Sequence, residues 1–554
     1  MRILIVGGVA GGASAATRLR RLNEHAEIVI FERGPYISFA NCGLPYHMGG
    51  EIKERESLLL TTPEEMKKRY NIHVRVNTEV VSIDREKRMV KVRESHGKEW
   101  TEKYDKLILS PGARPLLPAI PNLKDNPRIF FLRTLPELDK IMEFIKKENP
   151  KKVLVVGGGY IGLEAAENLK KRGLEVTLVE MLPQVMLTLD PEMAAIVQNH
   201  LILNGVELIL NDGVKEFENT QNGLKTTLTS GKVVEHHFAV FAAGVLPEVS
   251  LAKEAGLEIG STGAIRVNES MQTSDPHIYA VGDAVEVRGL ISGKKVWLPL
   301  AGPAVKQARV AADSICGIKR AYQGSQGTTL VKVFDICAGT TGLNEKQLEK
   351  EGMAYKSVIV HPSSHASYYP ESKTVSIKLL FNSENGKILG AQVVGEKGAD
   401  KRLDVIATAI RAGMTVWDLA NLELGYAPPF GNAKDPVNIA GFVASNVLEG
   451  TVNPISVQEL DRNREDYHLL DVRSAEDFEI GHIPGAVNIP LPQLRSRLKE
   501  IPKDKKIAVY CKVGMTSYLA TRILMQNGFK KVYNLSGGWT TWSFLHKWKE
   551  AKTP

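Results

Sequence analysis

A chain of 554 residues is long enough for several domains with sizeable cores, and 43% hydrophobic with 24% charged residues is the balance of a globular protein. A formal charge of +8, spread without aromatic interleaving, argues against a nucleic-acid partner, and no stretch reads as a membrane span or export signal. The four cysteines, Cys42, Cys316, Cys337 and Cys511, lie far apart, which points to single-thiol chemistry in a reducing cytoplasm, without a disulfide scaffold or a metal site.

The first predicted unit is "RILIVGGVAGGASAATRLRRL" followed by "EIVIFE": an apolar strand, a glycine turn, an Ala-rich helix and a second strand ending in an acid. "PEEMKKRY" then reads as a short helix, and "HVRVNTEVVSID" and "KLILSPGARP" as strands. The strand–turn–helix pattern returns in "KKVLVVGGGYIGLEAAENLKKRG" with "EVTLVE", followed by "HHFAVFAAGVLPE" and "HIYAVGDAVE", which leads back to the first domain. From about residue 323 to 447, strands such as "TVSIKLLFN" and "GKILGAQVVG" mix with the helical "KRLDVIATAIRAGM", an α+β arrangement. "EGTVNPIS" has linker composition, and residues 456–554 alternate strands and helices as a small α/β domain.

The second glycine turn matches G-x-G-x-x-G in full. Gly157 permits the tight turn, Gly159 admits a pyrophosphate to the backbone, and Gly162 packs helix on strand. Anionic phosphates sit well on the free N–H groups of a helix N-terminus. Glu180, ending the next strand, is placed to accept from ribose hydroxyls and to repel a 2′-phosphate, which favours NADH over NADPH. The first turn departs from the pattern: Gly7 and Gly12 hold the outer positions, Val9 replaces the middle glycine, and Gly8 and Gly11 flank the crowding. Glu32 is the acid of this unit.

Taken together, residues 1–447 resemble the flavoprotein pyridine nucleotide-disulfide oxidoreductases. The resemblance implies FAD on the first unit, residues 1–115 with 247–322, and the nicotinamide cofactor on residues 116–246. It implies a dimerisation domain over 323–447 and a linker over 448–455. "YAVGDA" then supplies Gly282 and Asp283, the latter to the ribityl chain, and "LPLAGPAVKQAR" supplies Pro299, Leu300, Ala301 and Ala304 to the flavin ring. Ala10, Arg33, Asn41, Ser110, Pro111, Gly112, Tyr160, Ile161 and Gly244 complete the implied cofactor residues.

"SFANCGLPY" holds one cysteine, Cys42, where disulfide reductases of this family usually hold two. A thiolate at a helix N-terminus gains from the dipole, so its pKa is expected to fall and its reactivity to rise. Cys42 alone can attack a substrate disulfide, and the substrate's own thiol then takes the place of the missing partner. The stretch is similar to the single-cysteine, coenzyme A-disulfide reductase branch. That branch implies Tyr368 of "HASYYP" and Tyr426 of "GYAPPF" as proton donors reaching the partner subunit, with Tyr369 as the neighbour to be distinguished. It implies Ser14, Arg18, Arg21, Ser38, Asn41 and Lys434 at coenzyme A. Lys67, with Lys68 and Arg69, enters on charge alone, because coenzyme A is polyanionic. An NADH oxidase or peroxidase cycling Cys42 through sulfenic acid is the alternative within the fold; peroxidases of this group carry a histidine where this chain has Ala10. A redox- or sulfur-sensing module with vestigial activity is the alternative outside it.

"DVRSAEDFEIGHIPGAVNIP" followed by "VYCKVGMTSYLA" resembles a rhodanese sulfurtransferase domain over residues 456–554. The loop Lys512, Val513, Gly514, Met515, Thr516 and Ser517 is expected to curl its N–H groups around the Cys511 sulfur, with Asp471 and Arg473 fixing nearby loops. Thr516 stands where an arginine often precedes the final serine, which leaves thiosulfate open as the donor. The expected whole is thus an α/β chain: two Rossmann-like FAD and NAD domains, an α+β dimerisation domain and a C-terminal α/β rhodanese domain. It is expected to be a cytoplasmic homodimer that reduces coenzyme A disulfide and persulfide with NADH.

Overall fold

The structure, a computed structural model, describes residues 1–550. It divides into two compact units: residues 1–182 with 209–327, and residues 183–208 with those from Thr328 on.

The first unit holds a parallel sheet in which Ile278–Ala280, Lys106–Leu109, Arg2–Val6, Glu27–Phe31 and His73–Arg75 lie side by side in that order. The strand Arg2–Val6 is central, with Leu4 opposite both Val29 and Leu107. Ile3, Leu4, Ile5, Ile28, Ile30 and Ile108 have no exposed surface, as expected for parallel strands covered on both faces. The helix Ala10–Leu22 lies close because its inward positions are Gly12, Ala15, Ala16 and Leu19. A second parallel sheet repeats the scheme with Glu175–Glu180, Lys152–Val156, Phe238–Phe241 and Ile129–Phe130 as neighbours, and Tyr160–Lys171 as its helix. In both sheets the glycine turn leaves the carboxyl end of the central strand, the place where open α/β sheets bind ligands.

The second unit contains an antiparallel sheet in the order Thr329–Val333, Ile336–Gly342, Ile388–Gly395, Val375–Asn382 and Tyr355–Val360. A parallel sheet follows in the order Pro454–Ile455, Val532–Leu535, Lys506–Tyr510, Tyr467–Asp471 and Val487–Asn488. Residues 183–208, expected inside the 116–246 segment, group here instead, and buried charge is the reason. Lys378, 1% exposed, lies 3.0 Å from Asp190 and from Glu345 and 3.3 Å from Glu192, tying the helix Pro191–Leu203 to the antiparallel sheet. The expected linker 448–455 is also shorter: the helix Pro436–Leu448 ends inside it, and Pro454–Ile455 already pairs with the last strand. Among the described residues no helix is long and apolar enough to cross a membrane.

Candidate functional site

In the first unit a cavity of about 630 Å³ opens over the first glycine turn. Gly7 has a φ of +90°, and a Cβ there would lie 2.1 Å from the Ser110 carbonyl oxygen; a Cβ on Gly12 would lie 1.8 Å from that of Gly7. These two glycines are therefore required by the turn itself, and Gly12 packs beneath it. Gly7, Gly8, Val9, Ala10 and Gly11 line the cavity, with Glu32, Arg33, Asn41, Ser110, Pro111, Gly112, Gly282, Asp283, Pro299, Leu300, Ala301 and Ala304. Glu32 is aimed by the backbone: it accepts from the N–H groups of Gly8 at 2.9 Å and Gly34 at 2.8 Å.

Cys42 lines the same cavity, exposed to it. Its segment is pinned to the turn by the Ser38 N–H, which donates to the Gly8 carbonyl at 2.9 Å, while Ser38 itself holds a left-handed φ of 47°. Such conformations persist where surrounding bonds enforce them, and they concentrate at functional sites. The expectation of a lowered Cys42 pKa is overturned. Desolvation in the cleft, then the carboxylates of Glu164 and Asp283, push this thiol up. The following helix, Leu44–Gly49, is only six residues long, and its dipole is outweighed by two carboxylates and a low-dielectric wall.

Glu164 carries no motif in the sequence that marks it for this site. It accepts a hydrogen bond from the Tyr46 hydroxyl at 3.0 Å, joining the second nucleotide helix to the cysteine segment. Burial raises the Glu164 carboxyl, and the same burial together with Glu164 raises the Tyr46 phenol. A second missed residue is Arg133, whose side chain lines the cavity without an ion pair among the described residues. Burial first, then Arg33, lower its pKa, so a ligand anion would be its natural counter-charge. The sequence signal was a single arginine in "IFFLRTLPEL", just ahead of the capping box in which Glu137 accepts from the backbone N–H groups of Arg133 and Thr134.

The second turn is similarly built. Gly157 has φ +108° with a Cβ position 2.4 Å from the Ala242 carbonyl oxygen, and a Cβ on Gly162 would lie 1.9 Å from the Gly157 oxygen. Glu180 accepts from the Gly158 N–H at 2.6 Å and the Leu182 N–H at 2.9 Å. A Cβ on Gly159 would meet nothing within 4 Å, leaving open space above the helix N-terminus that begins with Tyr160 and Ile161. Gly244, at φ +115°, is likewise open.

A separate groove of about 780 Å³ is lined by Ser14, Ser38, Lys68, Arg69 and Tyr70 among others. Lys67 is not part of it. Its ammonium is bound to Asn71 at 2.6 Å and His73 at 2.9 Å, because the helix phase turns it toward the C-cap. Arg18 is held by Asp313 at 2.7 Å, and Arg21 is exposed at the end of its helix.

In the second unit the Tyr368 and Tyr426 hydroxyls meet at 3.1 Å, both rings exposed, whereas Tyr369 packs edge-on against His365. Tyr368 is thus the one of the adjacent pair that joins Tyr426; the hydrogen bond raises its pKa. Lys434 is exposed just before the helix N-cap Asp435.

Cys511 is buried at the start of its loop. Its sulfur receives the Gly514 N–H at 3.2 Å and lies 3.4 Å from the Ser517 hydroxyl, while Gly514 takes φ +108°. Lys512 and Met515 are exposed and Val513 and Thr516 half-buried around it. Asp471 and Arg473 form a buried pair, and Arg473 also donates to the Gly481 carbonyl at 2.8 Å and lies 4.9 Å from the Trp539 ring centre. Cys316 and Cys337 are half-buried, and burial with Asp400 pushes the Cys337 thiol up to about 11.

The model of the pyridine nucleotide-disulphide oxidoreductases matches residues 1–312, more than half of the chain, and that of their dimerisation domain matches 328–436. The chain belongs to this family. A rhodanese-like domain matches residues 456–544. The reduced CoADR-RHD of Bacillus anthracis superposes with a TM-score of 0.96 at 49% identity, covering 99% of this chain and 98% of that one. An NAD-dependent persulfide reductase from A. fulgidus superposes at 0.92 with 40% identity, covering 98% and 100%. Among curated relatives, an NADH oxidase of Methanocaldococcus jannaschii is 36% identical, covering 79% of this chain and 98% of its own. A coenzyme A disulfide reductase of Staphylococcus aureus strain COL is 35% identical, covering 80% and 99%.

Pyridine nucleotide-disulphide oxidoreductases of this kind use FAD and NAD(H), and the residues present fit both groups. The cavity over the first turn combines a glycine-lined helix N-terminus with the unpaired Arg133, a complement to a pyrophosphate. The free space over Gly159 is the cradle the second dinucleotide needs.

Proposed function

We propose that this oxidoreductase is an NADH-dependent reductase of coenzyme A disulfide and coenzyme A persulfide, acting as a homodimer, with Cys511 handling sulfane sulfur. The observation that carries the reading is Cys42: a thiol opening into the dinucleotide cavity, with all four cysteines of the chain free and none beside it.

The Cys42 thiolate attacks one sulfur of the substrate, breaking the disulfide, releasing one thiolate and leaving a mixed disulfide on the protein. FAD, held over the first glycine turn, would supply the two electrons, drawn from NADH, for cleaving the mixed disulfide. Cys42 and a second coenzyme A thiol are regenerated, two electrons and two protons having entered in all. With the persulfide the products are coenzyme A and hydrogen sulfide for the same two electrons and two protons. In the homodimer Tyr368 and Tyr426, hydrogen-bonded to each other, serve the other subunit's site and hold the proton that the first departing thiolate needs. The groove of Ser14, Ser38, Lys68 and Arg69, with Arg18, Arg21 and Asn41, takes the coenzyme A body.

The test is stoichiometric: under anaerobic conditions the enzyme with NADH and coenzyme A disulfide releases two thiols per NADH. An oxidase, the second reading favoured by one curated relative, would consume oxygen and NADH at full rate without any disulfide; that result would overturn the proposal.

Two further outcomes follow. Glu164→Gln keeps an acceptor for Tyr46 but removes a charge that disfavours the Cys42 thiolate. The pH profile of Cys42 alkylation therefore moves to lower pH, read by iodoacetamide trapping and mass spectrometry. Replacing Lys68 and Arg69 together by alanine raises KM for coenzyme A disulfide by about tenfold, whereas Lys67→Ala leaves it unchanged, as steady-state kinetics will record.

A further inference from the structure

The loop of Cys511 does not stand on its own domain alone. Its two carbonyls rest on the first turn of the helix Gly538–Glu550: the Trp539 N–H donates to the Cys511 carbonyl at 2.8 Å, and the Thr540 N–H and hydroxyl donate to the Lys512 carbonyl at 3.0 and 2.9 Å. A Cβ on Gly538 would lie 2.4 Å from the Cys511 carbonyl oxygen, so the floor fits without slack. The other side of the same turn is fastened outside the rhodanese sheet. Thr541 is bonded to His361 Nε2 at 2.8 Å, and His361 Nδ1 is bonded to the Ser376 hydroxyl at 2.8 Å. Just upstream, the Ser536 hydroxyl accepts the Ile359 N–H at 2.8 Å. A Cβ on Gly537 would lie 1.9 Å from the Thr541 hydroxyl and 2.9 Å from His361, so this junction too is close-packed.

We infer that His361, acting through Thr541, is a positioning residue for sulfur transfer at Cys511: it fixes the helix turn that holds the loop's carbonyls and thereby the Gly514 N–H and Ser517 hydroxyl at the sulfur. Both imidazole nitrogens are occupied by hydroxyls, and burial brings the ring's pKa down to about 4, so it stays neutral and the link is constant through the working pH range. A hydroxyl and an imidazole held in a dry contact give direction as well as cohesion, and a displacement of a few tenths of an ångström in the floor is passed straight to the carbonyls above it.

The inference rests on the reading of Cys511 as a sulfur carrier, and the test separates the two. In the full chain, Thr541→Val keeps the side-chain shape and removes the hydroxyl, Thr541→Ser keeps the hydroxyl, and Ser376→Ala releases the far side of the ring. Sulfur transfer from glutathione persulfide to cyanide, and the pH profile of Cys511 alkylation, are measured beside NADH-driven reduction of coenzyme A disulfide. The expected result is a fall in sulfur transfer on the order of tenfold with a displaced alkylation profile for Thr541→Val. A smaller change in the same direction is expected for Ser376→Ala, with recovery in Thr541→Ser and native disulfide reduction throughout. Native transfer and a native alkylation profile in Thr541→Val or in Ser376→Ala overturn the role of His361. Transfer that survives Cys511→Ser overturns the carrier reading instead.

Discussion

Cys42→Ser removes coenzyme A disulfide reduction and sulfide release together, by about three orders of magnitude or more, while Cys511→Ser spares the first. A serine hydroxyl in this cleft is a far weaker nucleophile than the thiol and cannot form the mixed disulfide, so no residual covalent route remains. The cavity itself tolerates the change: Cys42 is exposed to it and its sulfur makes one long contact, 3.8 Å to the Asn41 carboxamide, so the fold and cofactor binding persist. The loss is therefore read against an unchanged flavin content. Mass spectrometry adds an internal check, since a coenzyme A adduct on the native protein must vanish in Cys42→Ser and persist in Cys511→Ser. If both variants lose both reactions equally, the division of labour between the two sulfurs is wrong.

What the sequence disclosed and what it hid follow from the range of the forces involved. The two glycine turns, Glu32, Glu180, Cys42 and the Cys511 loop are legible because their chemistry is written into consecutive residues; all but Cys42, which sits in the turn Asn41–Gly43, occur in the structure at the carboxyl end of a strand. The direction of the Cys42 pKa is not legible locally, because burial in the cleft and then Glu164 and Asp283, which arrive from far along the chain, raise it against the helix dipole. Lys67 stands outside the groove by helical phase: its neighbours Lys68 and Arg69 line it, while a rotation of about 100° per residue carries Lys67 to Asn71. Arg133 and His361 carry no chemical motif of their own. The first reads as the prelude to a helix cap and the second as one more histidine near a strand end, and only tertiary packing gives each its partners. Residues 183–208 carry no sequence mark of their grouping, since the burial of Lys378 among three carboxylates joins residues far apart in the chain.

The remaining large effect separates binding from folding at the second turn. Gly159→Ala places a methyl group where the protein has nothing within 4 Å, at an ordinary negative φ of −79°, so the fold has no reason to change. The only occupant that methyl can strike is a bound pyrophosphate. Overpacking costs about 1–3 kcal/mol, which corresponds to a rise in the NADH dissociation constant of roughly 5- to 150-fold. Gly162→Ala puts its methyl 1.9 Å from the Gly157 carbonyl oxygen and must move helix from strand, so it loses NADH and thermal stability together. Titration of the flavin by NADH and by dithionite distinguishes them: in Gly159→Ala dithionite still supports reduction of coenzyme A disulfide at the native rate while NADH fails at native concentrations. Unchanged NADH binding in Gly159→Ala would mean that the second dinucleotide does not lie on this helix, and the assignment of electron entry to residues 157–162 would fall with it.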